Sequence, residues 1–344
     1  MTSLTRRSVL WGGAVPFSIP ERASKADPGA DELWQSFRQK FITAEGRVID
    51  TANGNISHSE GQGWGLLFAA WFDDRKTFDS LYRWTTATLR RPHDRLHAWR
   101  FDPAAVPPVA DLNNATDGDI FIAASLARAA ARWGNDTYAQ ASRAISRDIL
   151  ARLVRRVGTR LVLLPAHAGF ERQDGTVINL SYYAFPFLSE LARIMPAPQW
   201  ELLMNDGLSL INTARFGKWM LPPDWLLLAH TGELRPAAGW PPRFSYDAIR
   251  IPLWLVWSRR MPGAVNASYL AFWDTPNPPA WADLATNETS SYPASPGIQA
   301  VIRLTEAAAA HTAPDLPAIG TNATYYDGSL ILLSWLAFRA AQAR

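Results

Sequence analysis

From Asp31 onward the apolar residues recur mostly at helical spacing, and no other feature narrows the fold as much. Leu66, Leu67, Ala70 and Trp71 form one such set, Ile120, Ala123, Ala124 and Ala127 a second, and Leu330, Leu333, Leu336 and Ala337 a third. The i, i+3, i+4, i+7 pattern places each set on one helix face. It predicts helices over 31–43, 60–72, 75–90, 117–133, 136–154, 181–195, 197–214, 247–260, 264–274, 296–311 and 326–342. Strands are few: 158–164 alternates weakly and predicts a hairpin, whereas 100–111 and 222–246 read as irregular. No linker or repeat divides the 344 residues, and a 48% hydrophobic content supplies one large core. About eleven or twelve helices in up-and-down order predict a helical toroid rather than a sheet protein.

The N-terminus has a different character. Arg6–Arg7 precede a short apolar run from Val9 to Ile19 and a small-residue stretch ending near Ala26. That order of basic, apolar and small residues predicts a twin-arginine export signal over 1–26, and hence a periplasmic or secreted protein with one domain over 27–344. Pro16 and Pro20 interrupt the run, and no later segment approaches ~18 uninterrupted apolar residues, so no membrane span is expected. Residues 1–26 carry Arg6, Arg7, Arg22 and Lys25 against Glu21, so their removal takes the formal net charge from +3 to zero. A neutral chain without clustered Lys and Arg is a poor nucleic acid partner. With no cysteine there are no disulfides, thiolate metal sites or cysteine nucleophiles, and an exported chain must rely on packing.

Chemistry concentrates at helix starts. Ser57-His58-Ser59-Glu60 fits a capping box, in which Ser57 caps the helix and Glu60 reaches back to its amide. Gly61, Gly63 and Gly65 argue for something more. Each costs a helix on the order of 0.5–1 kcal/mol relative to alanine, a penalty expected where something approaches the backbone closely. A second start holds Thr116, Asp117 and Asp119, a third Asp247 with Arg250 on the same face, and a fourth Asp327. Acidic groups suit helix N-termini on dipole grounds alone, and Asp247 and Arg250 are spaced to pair. In an up-and-down toroid the inner helices share a direction, which brings these starts to one mouth. Two carboxylates facing each other across an aromatic groove are what glycoside hydrolysis requires. The 16 tryptophans offer flat faces for sugar rings, although any single one more often fills a core.

Ser59-Glu60-Gly61-Gln62-Gly63-Trp64-Gly65, Ala115-Thr116-Asp117-Gly118-Asp119 and Ser245-Tyr246-Asp247-Ala248 followed by Arg250 resemble, in this order, the signature segments of glycoside hydrolase family 8. Ala98-Trp99-Arg100, Asn179-Leu180-Ser181-Tyr182 and Leu221-Pro222-Pro223-Asp224-Trp225 are similar to that family too, especially to periplasmic cellulases associated with bacterial cellulose synthesis. The resemblance implies an all-α (α/α)6 barrel and an inverting endo-β-1,4-glucanase that needs no cofactor. It implies Glu60 as general acid, Asp247 as the base activating water, and Asp117 binding and distorting the sugar at the cleavage point. Tyr182 would position the water, Arg250 would orient Asp247, and Trp99 would stack on the glucan, with Trp64, Trp225 and Tyr246 as further groove wall. The expected partners are a β-1,4-glucan chain and a cellulose synthase complex. Leu180 stands where the family usually has proline, which puts the turn before Tyr182 in question, and Trp64 stands where it often has tyrosine.

Other readings fit less well. Xylan or chitosan are the leading substitutes on the same fold, but a cationic glycan would favour an acidic groove. A polysaccharide lyase wants clustered basic residues and a His or Tyr base, and the six histidines form no obvious cluster. A non-catalytic glycan binder would keep the tryptophans without needing both Glu60 and Asp247. His93 and His97 sit four apart, yet Pro92 places them at a helix end or loop, and zinc wants three or four ligands.

Overall fold

The computed structural model describes residues 28–342, so the expected export signal lies outside the described residues. Among the described residues there are eleven α-helices, each overlapping one of the spans read from periodicity. They are α1 (Pro28–Phe41), α2 (Ser59–Trp71), α3 (Arg75–Thr88), α4 (Thr116–Trp133), α5 (Asp136–Leu153), α6 (Phe185–Ile194), α7 (Pro198–Thr213), α8 (Arg250–Ser258), α9 (Gly263–Trp273), α10 (Pro296–Ala310) and α11 (Tyr325–Gln342).

Burial divides them into two rings. α2 is buried from Gly61 to Ala70, and α4, α8, α10 and α11 are apolar around most of their circumference. A helix that is apolar all round must be enclosed by others. Packing runs from α2 to α4, α6, α8, α10 and α11, and Trp64 of α2 stacks on Tyr325 of α11 to close the ring. α3, α5 and α7 back onto α2, α4 and α6, while α1 covers α11 and α9 covers α10. The result is an (α/α)6 barrel in which the non-helical segment 311–324 stands at the place of the sixth outer helix.

The strands are short connectors on this scaffold. β1 (Ser57–His58) pairs with β2 (Arg100–Phe101), and β3 (Val154–Val157) and β4 (Arg160–Leu163) form the expected hairpin, shifted a few residues toward the N-terminus. β5 (Glu171–Arg172), β6 (Gly175–Ile178), β7 (Leu226–Ala229) and β8 (Leu234–Pro236) build an antiparallel four-stranded sheet. β9 (Arg243–Phe244) pairs with β10 (Ala282–Asp283). The four-stranded sheet corrects the irregular reading of 222–246. Every residue of β7 is buried, so alternation, the usual sign of a strand, is missing.

Candidate active site

The inner helices alternate with outer ones and therefore run in parallel, so their N-termini meet at one end of the barrel. A Cβ on Gly118 would lie 2.7 Å from the Glu60 amide nitrogen, and Gly297 N donates to Asp327 Oδ1 at 2.9 Å. Those two contacts tie α2 to α4 and α10 to α11 at this mouth. The positive ends of several helix dipoles converge there, which favours carboxylates.

Glu60 sits in the first turn of α2, but no capping box forms. The cap position is His58, without a side-chain bond, and the Ser57 hydroxyl donates instead to the Val48 carbonyl. The Glu60 carboxylate is thus available to Arg250, whose Nη1 lies 3.0 Å from Oε1. The same nitrogen is 3.4 Å from Asp117 Oδ2, while Nη2 donates to Asp247 Oδ1 at 2.6 Å and to Ser181 Oγ at 3.0 Å. One guanidinium, itself only 3% exposed, holds all three acids. Asp117 is enclosed, whereas the side chains of Glu60 and Asp247 keep 24% and 29% of their surface open to the mouth.

Burial, then the charge of Glu60, raises Asp117 well above the usual carboxylate range against the pull of Arg250. Asp247 is raised by burial and by Glu60, while Arg250 and the Asn179 side chain favour its charged form. Burial works against the Arg250 charge, but Glu60, Asp247 and Asp117 outweigh it and hold the guanidinium firmly protonated. The Tyr182 hydroxyl is pushed up by burial first and then by Asp117 and Asp247.

The turn before Tyr182 forms despite Leu180. Leu180–Tyr182 is a single 3-10 turn in which Asn179 Oδ1 accepts from Ser181 N at 3.0 Å and from Ser181 Oγ at 2.7 Å. Trp254 Nε1 of α8 donates to Ser181 O at 2.9 Å, and the Arg250 guanidinium carbon is 5.9 Å from the Tyr182 ring centre. Asn179, Ser181 and Trp254 were not singled out from sequence. The signal was there for the first two, since both lie in the segment that carries Tyr182.

The aromatic candidates separate. Trp99 is partly exposed beside the start of α2: its carbonyl accepts from Ser59 N at 3.0 Å and its indole N–H donates to Asp111 Oδ2 at 2.8 Å. Trp225 clusters with Phe170 and Trp240 in near-parallel stacking, with centroids 5.6 and 4.7 Å away, and meets Tyr182 edge-on. Tyr246 is 47% exposed, with its hydroxyl 3.0 Å from that of Tyr292. Trp64 corrects the expectation. It is 0% exposed, packed between Phe121 and Tyr325 beneath the Arg250 guanidinium, so it forms the floor under the acids and no part of a groove wall. The neighbouring glycines serve the same floor. A Cβ on Gly61 would meet the Tyr325 hydroxyl at 2.7 Å, and one on Gly63 would meet Phe121 Cβ at 2.5 Å. What approaches this backbone is α4 and α11.

Two other acidic candidates are structural. Asp327 accepts from Gly297 N, Thr324 N and Thr324 Oγ1. Asp119 accepts from His97 N, His97 Nδ1 and Asn114 Nδ2, so His97 is already engaged. Asp224, passed over inside Leu221–Trp225, is buried beside the Asp247 turn, and burial and then Asp247 raise it to about 7.

Residues 9–340 match the model described as Glycosyl hydrolases family 8. The chain belongs to that family. A family relative named as a probable endoglucanase of Novacetimonas hansenii is 42% identical over 319 residues, 91% of this chain and 92% of the relative. An endoglucanase of Cellulomonas uda is 41% identical over 80% of this chain and 77% of its own length. Among solved structures, the endo-beta-1,4-glucanase CMCax from Acetobacter xylinum aligns with a TM-score of 0.87 at 41% identity, covering 91% of this chain and 99% of that one. A reducing-end-xylose releasing exo-oligoxylanase aligns with a TM-score of 0.73 at 16% identity, covering 92% of this chain and 93% of that one, a likeness of fold alone.

Proposed function

We propose that this family 8 protein is an endo-acting hydrolase of β-1,4-glucan, a cellulase that inverts the anomeric carbon. The observation that carries this reading is the Arg250 clasp. Glu60 and Asp247 engage different nitrogens of one planar guanidinium, which holds both carboxyl groups together at the mouth. Inversion requires acid and base carboxyls about 6.5–9.5 Å apart, because a water must stand between base and sugar. The names and identities of the relatives support a β-1,4-glucan as substrate.

In this mechanism Glu60 gives its proton to the glycosidic oxygen as the bond from that oxygen to the anomeric carbon breaks. Asp247 takes a proton from a water whose oxygen bonds the same carbon from the opposite face. Exchange with solvent then returns the proton to Glu60 and removes it from Asp247. Asp117, enclosed beside both, accepts from a hydroxyl of the distorted sugar, and Tyr182 positions the water. Trp99 stacks on the glucan, with Trp225 and Tyr246 along the wall. A guanidinium that orients the base without surrendering its own proton suits this role, since arginine stays charged.

The Arg6–Arg7 segment supports export through a signal at 1–26, with one catalytic domain over 27–344 in the periplasm or outside the cell. Among the described residues no helix is long and apolar enough to cross a membrane. The motif likeness to cellulases associated with cellulose synthesis supports a cellulose synthase complex as a partner. Release of reducing ends from carboxymethyl-cellulose, with xylan and chitosan in parallel, tests the substrate. Release from the cellulose derivative, lost in Glu60→Gln, is the expected result. Release from xylan or chitosan alone would overturn it.

A further inference from the structure

Asp247 has no helix to hold it, because α8 begins only at Arg250 and residues 245–249 form a turn. Arg250 fixes one carboxylate oxygen of Asp247, but a side-chain contact cannot by itself fix the backbone that carries it. The backbone is held from below by Asp224. Its Oδ1 accepts from Ser245 N at 2.9 Å and from Ala248 N at 2.8 Å, and its Oδ2 accepts from the Ser245 hydroxyl. These bonds bracket Asp247 on both sides in sequence. Asp224 is anchored in turn: its own N–H donates to Arg243 O at 2.7 Å, and it directly precedes Trp225 and β7. Among the described acids around the mouth, Asp224 alone accepts from the backbone amides of this turn.

We propose that Asp224 is the positioning residue for the base, setting the height of the Asp247 carboxylate over the cleavage point through the 245–248 turn. The proposal deepens the reading of Asp247 as base and rests on it. Misplacement of a reacting group by about 1 Å costs on the order of 100-fold in rate, so the loss should appear in kcat. The substrate contact made by Trp99 lies off this turn and is untouched, so the loss should fall on kcat far more than on KM.

The test is steady-state kinetics on a soluble cello-oligosaccharide with Asp224→Ala, Asp224→Asn and Ser245→Ala, each with its melting temperature, and Asp247→Asn as reference. Asp224→Ala is expected to lose about 100-fold in kcat, with KM within about 3-fold, a split that loss of folded protein does not produce. Asp224→Asn keeps an oxygen for both N–H donors and should recover most of that loss. Should the alanine variant fail to fold, Ser245→Ala decides: lower kcat at unchanged KM and melting temperature supports positioning. Wild-type kcat in the folded variants, or an asparagine variant as slow as alanine, overturns it. Full activity in Asp247→Asn would instead overturn the base assignment itself, so the two failures are distinguishable.

Discussion

A guanidinium presents its N–H donors in a rigid planar fork, and at Arg250 the fork meets Glu60, Asp117, Asp247 and Ser181. A lysine carries one compact charge and cannot span those partners. Arg250→Lys should therefore fold and bind glucan but lose about 100-fold or more in kcat, since the base loses the donor that fixes its Oδ1. Arg250→Met leaves three acids without their cation, and breaking a buried ion pair in this way costs about 3–5 kcal/mol. That loss should be larger at pH 7.5 than at pH 5, because Asp117 and Asp247, which burial raises above the usual carboxylate range, hold more of their protons at the lower pH. Urea unfolding at the two pH values checks it, and an equal loss at both would contradict the cluster. The tryptophans divide in the same terms. Trp64→Ala should cost stability, about 3–5 kcal/mol for a large buried side chain, whereas Trp99→Ala should raise KM and leave the melting temperature nearly unchanged. That Glu60, Asp247 and Arg250 lie together was legible because each stands at or just before the start of an inner helix. Trp64 was misread because adjacency to Glu60 says nothing about which way a side chain faces on a helix. Asp224 was missed because its role is expressed through backbone amides 21 and 24 residues away.

At the scale of elements, the α2–α4 contact is the tightest joint beneath the site. Propensity alone says that Gly63→Ala should stabilise α2 by about 0.5–1 kcal/mol. The contact says the opposite, because the new Cβ would lie 2.5 Å from Phe121 Cβ and 3.1 Å from the Ile122 backbone nitrogen. Overpacking of this kind typically costs about 1–3 kcal/mol. Thermal unfolding of Gly63→Ala reads the sign, and a raised melting temperature would contradict the close joint. The helices were legible because a 3.6-residue period survives even when one face is only slightly more apolar than the other. Helix ends were less so: the span read as 181–195 begins with the Leu180–Tyr182 turn, and α6 starts only at Phe185. The β5–β8 sheet left no trace, since Leu226–Ala229 is buried on both faces and reads equally as a helix fragment.

For the whole molecule, the site sets the pH dependence of stability. Asp224 is raised to about 7, and Asp117 and Asp247 are raised above the ordinary carboxylate value near 3.9. Between about pH 4 and 7 the folded chain therefore holds protons that the unfolded chain has released, and stability falls as pH rises through that window. The melting temperature should be higher at pH 5 than at pH 7.5, and the opposite order would contradict the buried acids. Catalysis needs Asp247 ionised and Glu60 protonated at once, so activity should fall off on both sides of an intermediate pH. A barrel whose inner helices all present their N-termini at one mouth provides the counter-field that makes such a cluster tolerable. Whether that mouth inverts or retains is the central question, and proton NMR of the first sugar released from a cello-oligosaccharide answers it most directly. The account predicts the α anomer at the new reducing end before mutarotation; the β anomer as first product would contradict it.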